Sequence, residues 1–439
     1  MDRYVTHRNE INKTATVTVY LVPWLVAIGL TGAWVAWVVA AQSIGTSVDE
    51  GVVDPGGKPF LYYVCHGIGL VAVILAGILA AINGQYKKLD GLTRWAFWML
   101  QITAITWAAA AYSFKDYASF KAFGATGPFV WMSTVLIFAG MDKKIWPVVN
   151  KVVPWISDIS AILAIVAVVR THKDLTERWL STPVYYMVLL MWFGGWTLLT
   201  SSRSRGLKLY LRSIPYIIFS FLTVVTKTRS WLVMSLLLFL SYWFLNKPTI
   251  KNKCSEVSHR VKFCAVIFII FFTVGFFLKD PLVRSFADLE ERALQDTRTG
   301  QYVEFFSDVQ VADLLLGRGP NGTWNWNGRD YQYFDNALLW MAFIGGIPTT
   351  LSYFVLVILP GIKAFGSGAA EINSAAVLLL LWGLACTGFS TYSNPSLTPY
   401  SYLLCLLAGR CLDSFADKRA TIKKIICDHA RPKVRMLKG

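Results

Sequence analysis

Residues 60–83 read FLYYVCHGIGLVAVILAGILAAIN, with no Asp, Glu, Lys or Arg anywhere in the run. Wound as an α-helix, a stretch of this length crosses the ~30 Å hydrocarbon core of a bilayer. To either side of it, apolar runs of about spanning length recur at 16–41, 95–112, 123–140, 154–169, 182–201, 213–226, 230–246, 262–279, 337–361, 373–390 and 398–413. A helix satisfies its own backbone hydrogen bonds inside lipid, so the pattern predicts an all-α polytopic membrane protein with about 12 transmembrane helices. The runs at 213–226 and 230–246 are short. The tight break between them, Thr226-Lys227-Thr228-Arg229, allows two short spans or a re-entrant hairpin, and two spans keep the charge alternation consistent.

Composition agrees. Hydrophobic residues make up 55% of the chain and charged ones 15%, with a mean hydropathy of +0.48, whereas soluble domains carry about 25% charged residues. The net charge of +16 sits in short basic clusters between the apolar runs. That spacing fits topology signals and anionic headgroups rather than a phosphate-tracking groove, which argues against nucleic acid as a partner. The seven cysteines are scattered without a CxxC pair and the five histidines are dispersed, so neither a metal centre nor a cofactor is implied. The first apolar run lacks a small-residue cleavage site and reads as a span rather than a removed signal.

With the N-terminus in the cytoplasm, the inner loops hold Lys87, Lys88 and Arg94, then Lys143, Lys144 and Lys151, then Arg203, Arg205, Lys208 and Arg212, then Lys247, Lys251 and Lys253. Roughly 28 of the basic residues then fall inside, the asymmetry that the positive-inside rule expects. Both termini are cytoplasmic in this reading. The chain divides into nine helices over 1–279, an outer loop over 280–336, three helices over 337–413 and a basic tail over 414–439. Within the outer loop, Leu282, Phe286, Leu289 and Ala293 share one helical face, as do Tyr302, Phe305 and Val309. Both stretches predict short helices lying at the membrane surface or capping the bundle. No internal repeat is evident, which weakens a transporter reading.

Outer-face arginines have no topological reason to be there. Arg229, beside Lys227, reads either as an interfacial side chain snorkelling to water or as a guanidinium gripping an anionic group. In the loop, most charges read as solvated ion pairs, while Arg298 and Arg318 fall in turns and are candidates for ligand contact. Gly317-Arg318-Gly319-Pro320-Asn321-Gly322 matches GxGxxG by letter but follows no strand-to-helix unit, so it reads as a turn-rich loop. Trp324, Trp326, Tyr331, Tyr333 and Phe334 read as an interfacial belt or, with Asn325 and Asn327, as a sugar-binding surface. Asp335 reads as a helix N-cap or as a general base at the edge of a low-dielectric cavity.

The segment from Thr226 to about Gly346 resembles the O-antigen polymerase/ligase superfamily of bacterial envelope glycosyltransferases. The matching features are Thr226-Lys227-Thr228-Arg229-Ser230 opening a span, Thr299-Gly300-Gln301-Tyr302 through Phe305, the turn Leu315-Leu316-Gly317-Arg318-Gly319, and Asp335-Asn336-Ala337-Leu338-Leu339 leading to Gly345-Gly346. Two positions depart from the family pattern. Gln301 stands where an arginine is expected, with Arg298 three residues earlier as its substitute. Asp335 stands where ligases have His, which looks more like the repeat-unit polymerases.

The resemblance implies a GT-C-like enzyme of the bacterial inner membrane that needs no metal or cofactor. Donor and acceptor would be undecaprenyl-diphosphate-linked glycans, with a chain-length regulator as a further partner beside the lipid bilayer. The catalytic set it implies is Asp335, Arg229 and Arg298. Lys227, Gln301, Arg318, Trp324, Trp326, Tyr333 and Asn336 would bind substrate. An O-antigen ligase using the same donor and a lipid-linked glycan or solute transporter are the alternatives.

Overall fold

The computed structural model describes residues 2–43, 59–113, 129–170, 182–201, 207–226, 228–245, 297–319, 322–331, 334, 336–367, 369–389 and 395–430. Side chains at 2–20, 43, 110–113, 229, 297–299, 389 and 418–430 fall outside that description. The described elements are nearly all helical: α1 Asp2–Ser43, α2 Phe60–Ile82, α3 Gly91–Ser113, α4 Phe129–Met141, α5 Trp146–Arg170, α6 Thr182–Thr200, α7 Leu207–Val225 and α8 Arg229–Leu245. There follow α9 Thr297–Asp308, α10 Val311–Leu316, the strands β1 Trp324–Trp326 and β2 Arg329–Tyr331, then α11 Ala337–Ala364, α12 Ala370–Gly388 and α13 Pro399–Ala430.

Seven helices among the described residues are long and apolar enough to cross a membrane: α2, α5, α6, α7, α11, α12 and the stretch Leu21–Gln42 of α1. This is a multi-pass membrane protein. The run at 262–279 and the amphipathic stretch at 282–293 lie outside the described residues. Two separate helices flank the polar break at 226–229, one ending at Val225 and the other starting at Arg229.

α6 is buried on nearly every side and forms the axis of the bundle, with α1, α5, α7, α8, α12 and α13 packed around it. Small residues permit the closest crossings. A Cβ on Gly32 of α1 would lie 3.0 Å from the Cys65 carbonyl oxygen of α2, and Gly140 of α4 and Gly409 of α13 each press on the other helix's backbone. Such approaches bring dispersion contact where lipid supplies no hydrophobic drive between helices.

Relative direction follows from the same contacts. Trp192 of α6 meets Trp382 of α12 with ring centroids 5.3 Å apart. A Cβ on Gly195, one turn further along α6, would meet Leu378, one turn earlier in α12, and also Leu238 of α8. α12 therefore runs antiparallel to α6, while α8, whose leading Thr228 meets Met187 nearer the start of α6, runs parallel to it. The start of α8 and the end of α12 thus share one end of the bundle.

The opposite end gathers the basic connections. Lys88, between α2 and α3, lies 2.7 Å from Asp413 of α13. Lys143, between α4 and α5, lies 3.7 Å from Asp413 and 2.6 Å from Asp417. Arg410 bonds Glu371 at the start of α12 at 3.1 Å and lies 3.7 Å from Asp413. The Asp413 side chain is fully buried at the centre of this group.

Candidate functional site

The site is built where the loop before α11 meets the end of the bundle that holds the start of α8. α9 carries aromatic and aliphatic residues at helical spacing. In the fold that face turns inward: Phe305 is completely buried, lying 4.4 Å from Phe334, 5.3 Å from Trp324 and 5.5 Å from Phe343 between ring centroids. Such pairs add about 0.5–1.5 kcal/mol each beyond simple burial. The inner face of α9 thus packs on Trp324 and on Phe343 of α11, while Val303 and Phe306 stay exposed.

The hairpin β1–β2 was not anticipated from sequence. Its turn is Asn327-Gly328, both at positive φ (52° and 76°), the pairing that a two-residue hairpin turn demands. The Asn325 side chain accepts from the Gly328 amide at 2.9 Å, and Asp308 and Glu304 of α9 accept from the Asn325 and Asn327 amides. Asn325 thus braces the turn, and the loop acids grip the hairpin. Trp324 is 1% exposed, packed among Phe305, Phe334 and Tyr331, so its faces are spent on the core. Trp326 is half-buried and Gln301 largely buried.

Two glycine turns far apart in sequence close on each other. α11 is broken at Gly346 (φ 80°, ψ 162°), two residues before Pro348. Proline has no N–H, so the Ile344 carbonyl loses its helical partner, and the break frees the Phe343 carbonyl as well. The amides of Gly319 and Arg318 bond those two oxygens at 3.0 and 2.7 Å. The approach requires glycine. A Cβ on Gly317 would lie 2.6 Å from the Ile344 oxygen, and one on Gly346 would lie 2.6 Å from the Leu315 oxygen.

Arg318 is committed to this turn. Its guanidinium bonds the Thr323 carbonyl at 2.7 Å and Asp313 at 3.0 Å, lies 3.5 Å from Asp308, and sits over the Phe343 ring. These bonds give Arg318 a structural role within the turn that also makes it a candidate ligand contact. Chiefly through its hydrogen bond, Arg318 holds the Asp313 carboxyl below the ordinary carboxylate range. A depressed folded-state value means the stabilisation is present above the ordinary pKa and is lost as pH falls through the lowered one. The melting temperature of Asp313→Asn should therefore lie below that of the wild type at pH 7, with the gap narrowing as pH falls below the ordinary carboxylate range. A gap that does not narrow with falling pH would contradict the charge pairing.

Asn336 is the hub. Its side-chain oxygen caps α11 by accepting from the Leu338 and Leu339 amides at 3.0 and 3.1 Å. Its amide donates to the Tyr302 hydroxyl at 3.1 Å and to the Thr387 carbonyl at 3.2 Å. Gly388 follows at φ 85°, and a Cβ there would crowd both Asn336 and the Tyr302 hydroxyl. The N-cap of α11 is thus Asn336, not Asp335, because the helix begins one residue later than a cap at 335 would place it. Thr387 and Gly388 were missed in the sequence. Their only signal was a glycine near the end of an apolar run.

Arg229 opens α8. The turn before it is fixed by Thr226 and Thr228, whose hydroxyls lie 3.0 Å apart and each 3.4 Å from the Met187 sulfur of α6. Since α8 starts at the end of the bundle where α12 finishes, the start of α8 and Asn336 share that end. Lys227, Tyr333 and Asp335, and the side chains of Arg229 and Arg298, lie outside the described residues.

The chain matches no family model, no curated protein and no solved structure. The likeness to the O-antigen polymerase/ligase superfamily therefore rests on the order and spacing of the motifs.

Proposed function

We propose that this protein is a metal-independent glycosyltransferase that polymerises undecaprenyl-diphosphate-linked repeat units on the periplasmic face of a bacterial inner membrane. In this reading twelve helices span the bilayer in a GT-C-like arrangement, both termini are cytoplasmic, and a chain-length regulator is a natural partner. One observation carries the proposal: segments ordered along the sequence by the resemblance converge at one end of the bundle. Leu315–Gly319 docks on Gly345-Gly346, and Asn336 ties Tyr302 to the end of α12, where α8 also begins.

The chemistry follows from the residue types. An acceptor hydroxyl oxygen forms a bond to the donor's anomeric carbon while the bond from that carbon to the diphosphate oxygen breaks. The hydroxyl proton passes to Asp335, and undecaprenyl diphosphate leaves with the bonding electrons. Charge grows on the diphosphate as the bond breaks, so cations at Arg229, Arg298 and Lys227 stabilise the transition state more than the ground state. Gln301, Trp326 and Tyr333 remain as substrate contacts in this scheme. Arg318, Trp324 and Asn336, held by the fold, serve to support the site.

The test is reconstitution. The purified chain in proteoliposomes, given an undecaprenyl-diphosphate-linked repeat unit and excess EDTA, should yield a ladder of polymer lengths with release of undecaprenyl diphosphate. Absence of both products overturns the proposal. Transfer of preformed chains to a lipid A-core acceptor, with no ladder, would assign the ligase reaction instead.

A further inference from the structure

While the inward face of α9 is spent on the cap, α10 presents the reverse. Val311 is 73% exposed, Leu315 50% and Leu316 83%. The helix cannot roll to hide them, because its capping box at Gln310 and Asp313 fixes its start and the Gly317–Gly346 contact fixes its end. The apolar surface is continuous with a membrane-spanning wall. Leu315 and Leu316 lie directly against Gly346, and Ile347 and Leu351 of α11, exposed beside that contact, belong to a helix apolar enough to span.

Depth is set by the helices themselves. From Gly346 to the far end of α11 at Ala364 is about 18 residues, or about 27 Å at the helical rise. From Ala370 to Gly388 in α12 the distance is again about 27 Å. The basic connections gather at the Ala364 and Ala370 ends, and with those ends at one boundary of a hydrocarbon core ~30 Å thick both glycines stand close to the other. An apolar helix pinned at that level, beside a lipid-facing wall, meets acyl chains rather than water.

We infer that α10 is an interfacial anchor, with Val311, Leu315 and Leu316 seated among the acyl chains of the leaflet on the α9–α10 side. This non-spanning segment would hold the cap at a fixed depth through the Gly317–Gly346 lock. The inference depends on membrane insertion and not on the glycosyl-transfer proposal.

The experiment places a dansyl side chain by amber suppression at position 316, 311, 351 or 330 of the full chain in phosphatidylcholine vesicles containing doxyl-labelled lipids. Positions 316 and 311 should show blue-shifted emission, quenched most by a doxyl group near the headgroup. Position 351 should be quenched most by a mid-chain doxyl, while position 330 in the hairpin should stay water-like. Water-like emission at 316 and 311 with normal quenching at 351 overturns the anchor alone. Blue-shifted emission without lipid quenching also overturns it, and assigns the face to protein contact. Loss of quenching at 351 would remove the membrane frame on which the inference stands.

Discussion

Asp335→Asn is expected to lower the polymerisation rate by about 10²–10⁴-fold, the range that general-base catalysis supplies. That loss corresponds to about 3–5 kcal/mol of barrier. The substitution nearly preserves size and polarity but removes the proton acceptor. What makes it informative is its neighbour. The α11 cap belongs to Asn336, whose oxygen accepts two backbone amides, so Asp335→Asn leaves that cap intact. Asn336→Ala is its counterpart: it should cost about 0.5–2 kcal/mol of stability for the cap alone, and it also releases Tyr302 and Thr387. Run in a strain lacking its own copy, Asp335→Asn should collapse the surface-glycan ladder to single repeat units with unchanged thermal stability. Asn336→Ala should lower both. Wild-type ladder lengths from Asp335→Asn would end the general-base assignment, whatever became of the fold.

Reading the same residues from sequence succeeded where one physical rule dominated. Hydropathy located the helices because lipid leaves the backbone no alternative: the run at 60–83 became Phe60–Ile82, and that at 182–201 became Thr182–Thr200. It falls short where the signal is neither local nor periodic. Side-chain chemistry does not reveal that Asn327-Gly328 acts through its backbone as a hairpin turn. The turn position of Arg318 makes it a candidate ligand contact but does not reveal its pairing with Asp308 and Asp313, nor the Gly317–Gly346 contact. That contact joins positions about thirty residues apart and leaves no periodic trace. Its legible clue was Gly345-Gly346-Ile347-Pro348, where a proline removes a donor and forces some other segment to supply it.

The far end of the bundle provides the largest expected effect on stability. Lys88→Ala should destabilise the protein by about 3 kcal/mol, at the low end for breaking a buried pair. The reason lies in the asymmetry of the pair. Asp413 has no exposed side-chain surface, whereas the Lys88 side chain is 36% exposed and that of Lys143 is 59% exposed. Removing Lys88 strands a buried carboxylate whose remaining cations are 3.7 Å away. Asp413→Ala should cost less, about 2 kcal/mol, because Lys88 can turn to water and Arg410 keeps Glu371. The double variant should be no worse than Lys88→Ala, since the alanine at 413 removes the very charge that Lys88→Ala leaves unpaired. Thermal unfolding in detergent across the four proteins measures the coupling. Additive losses would show that Lys88 and Asp413 act independently. Strong coupling would identify this cluster as the fastening that holds the α2–α3 and α4–α5 connections against α12 and α13, at the end of the bundle opposite the candidate site.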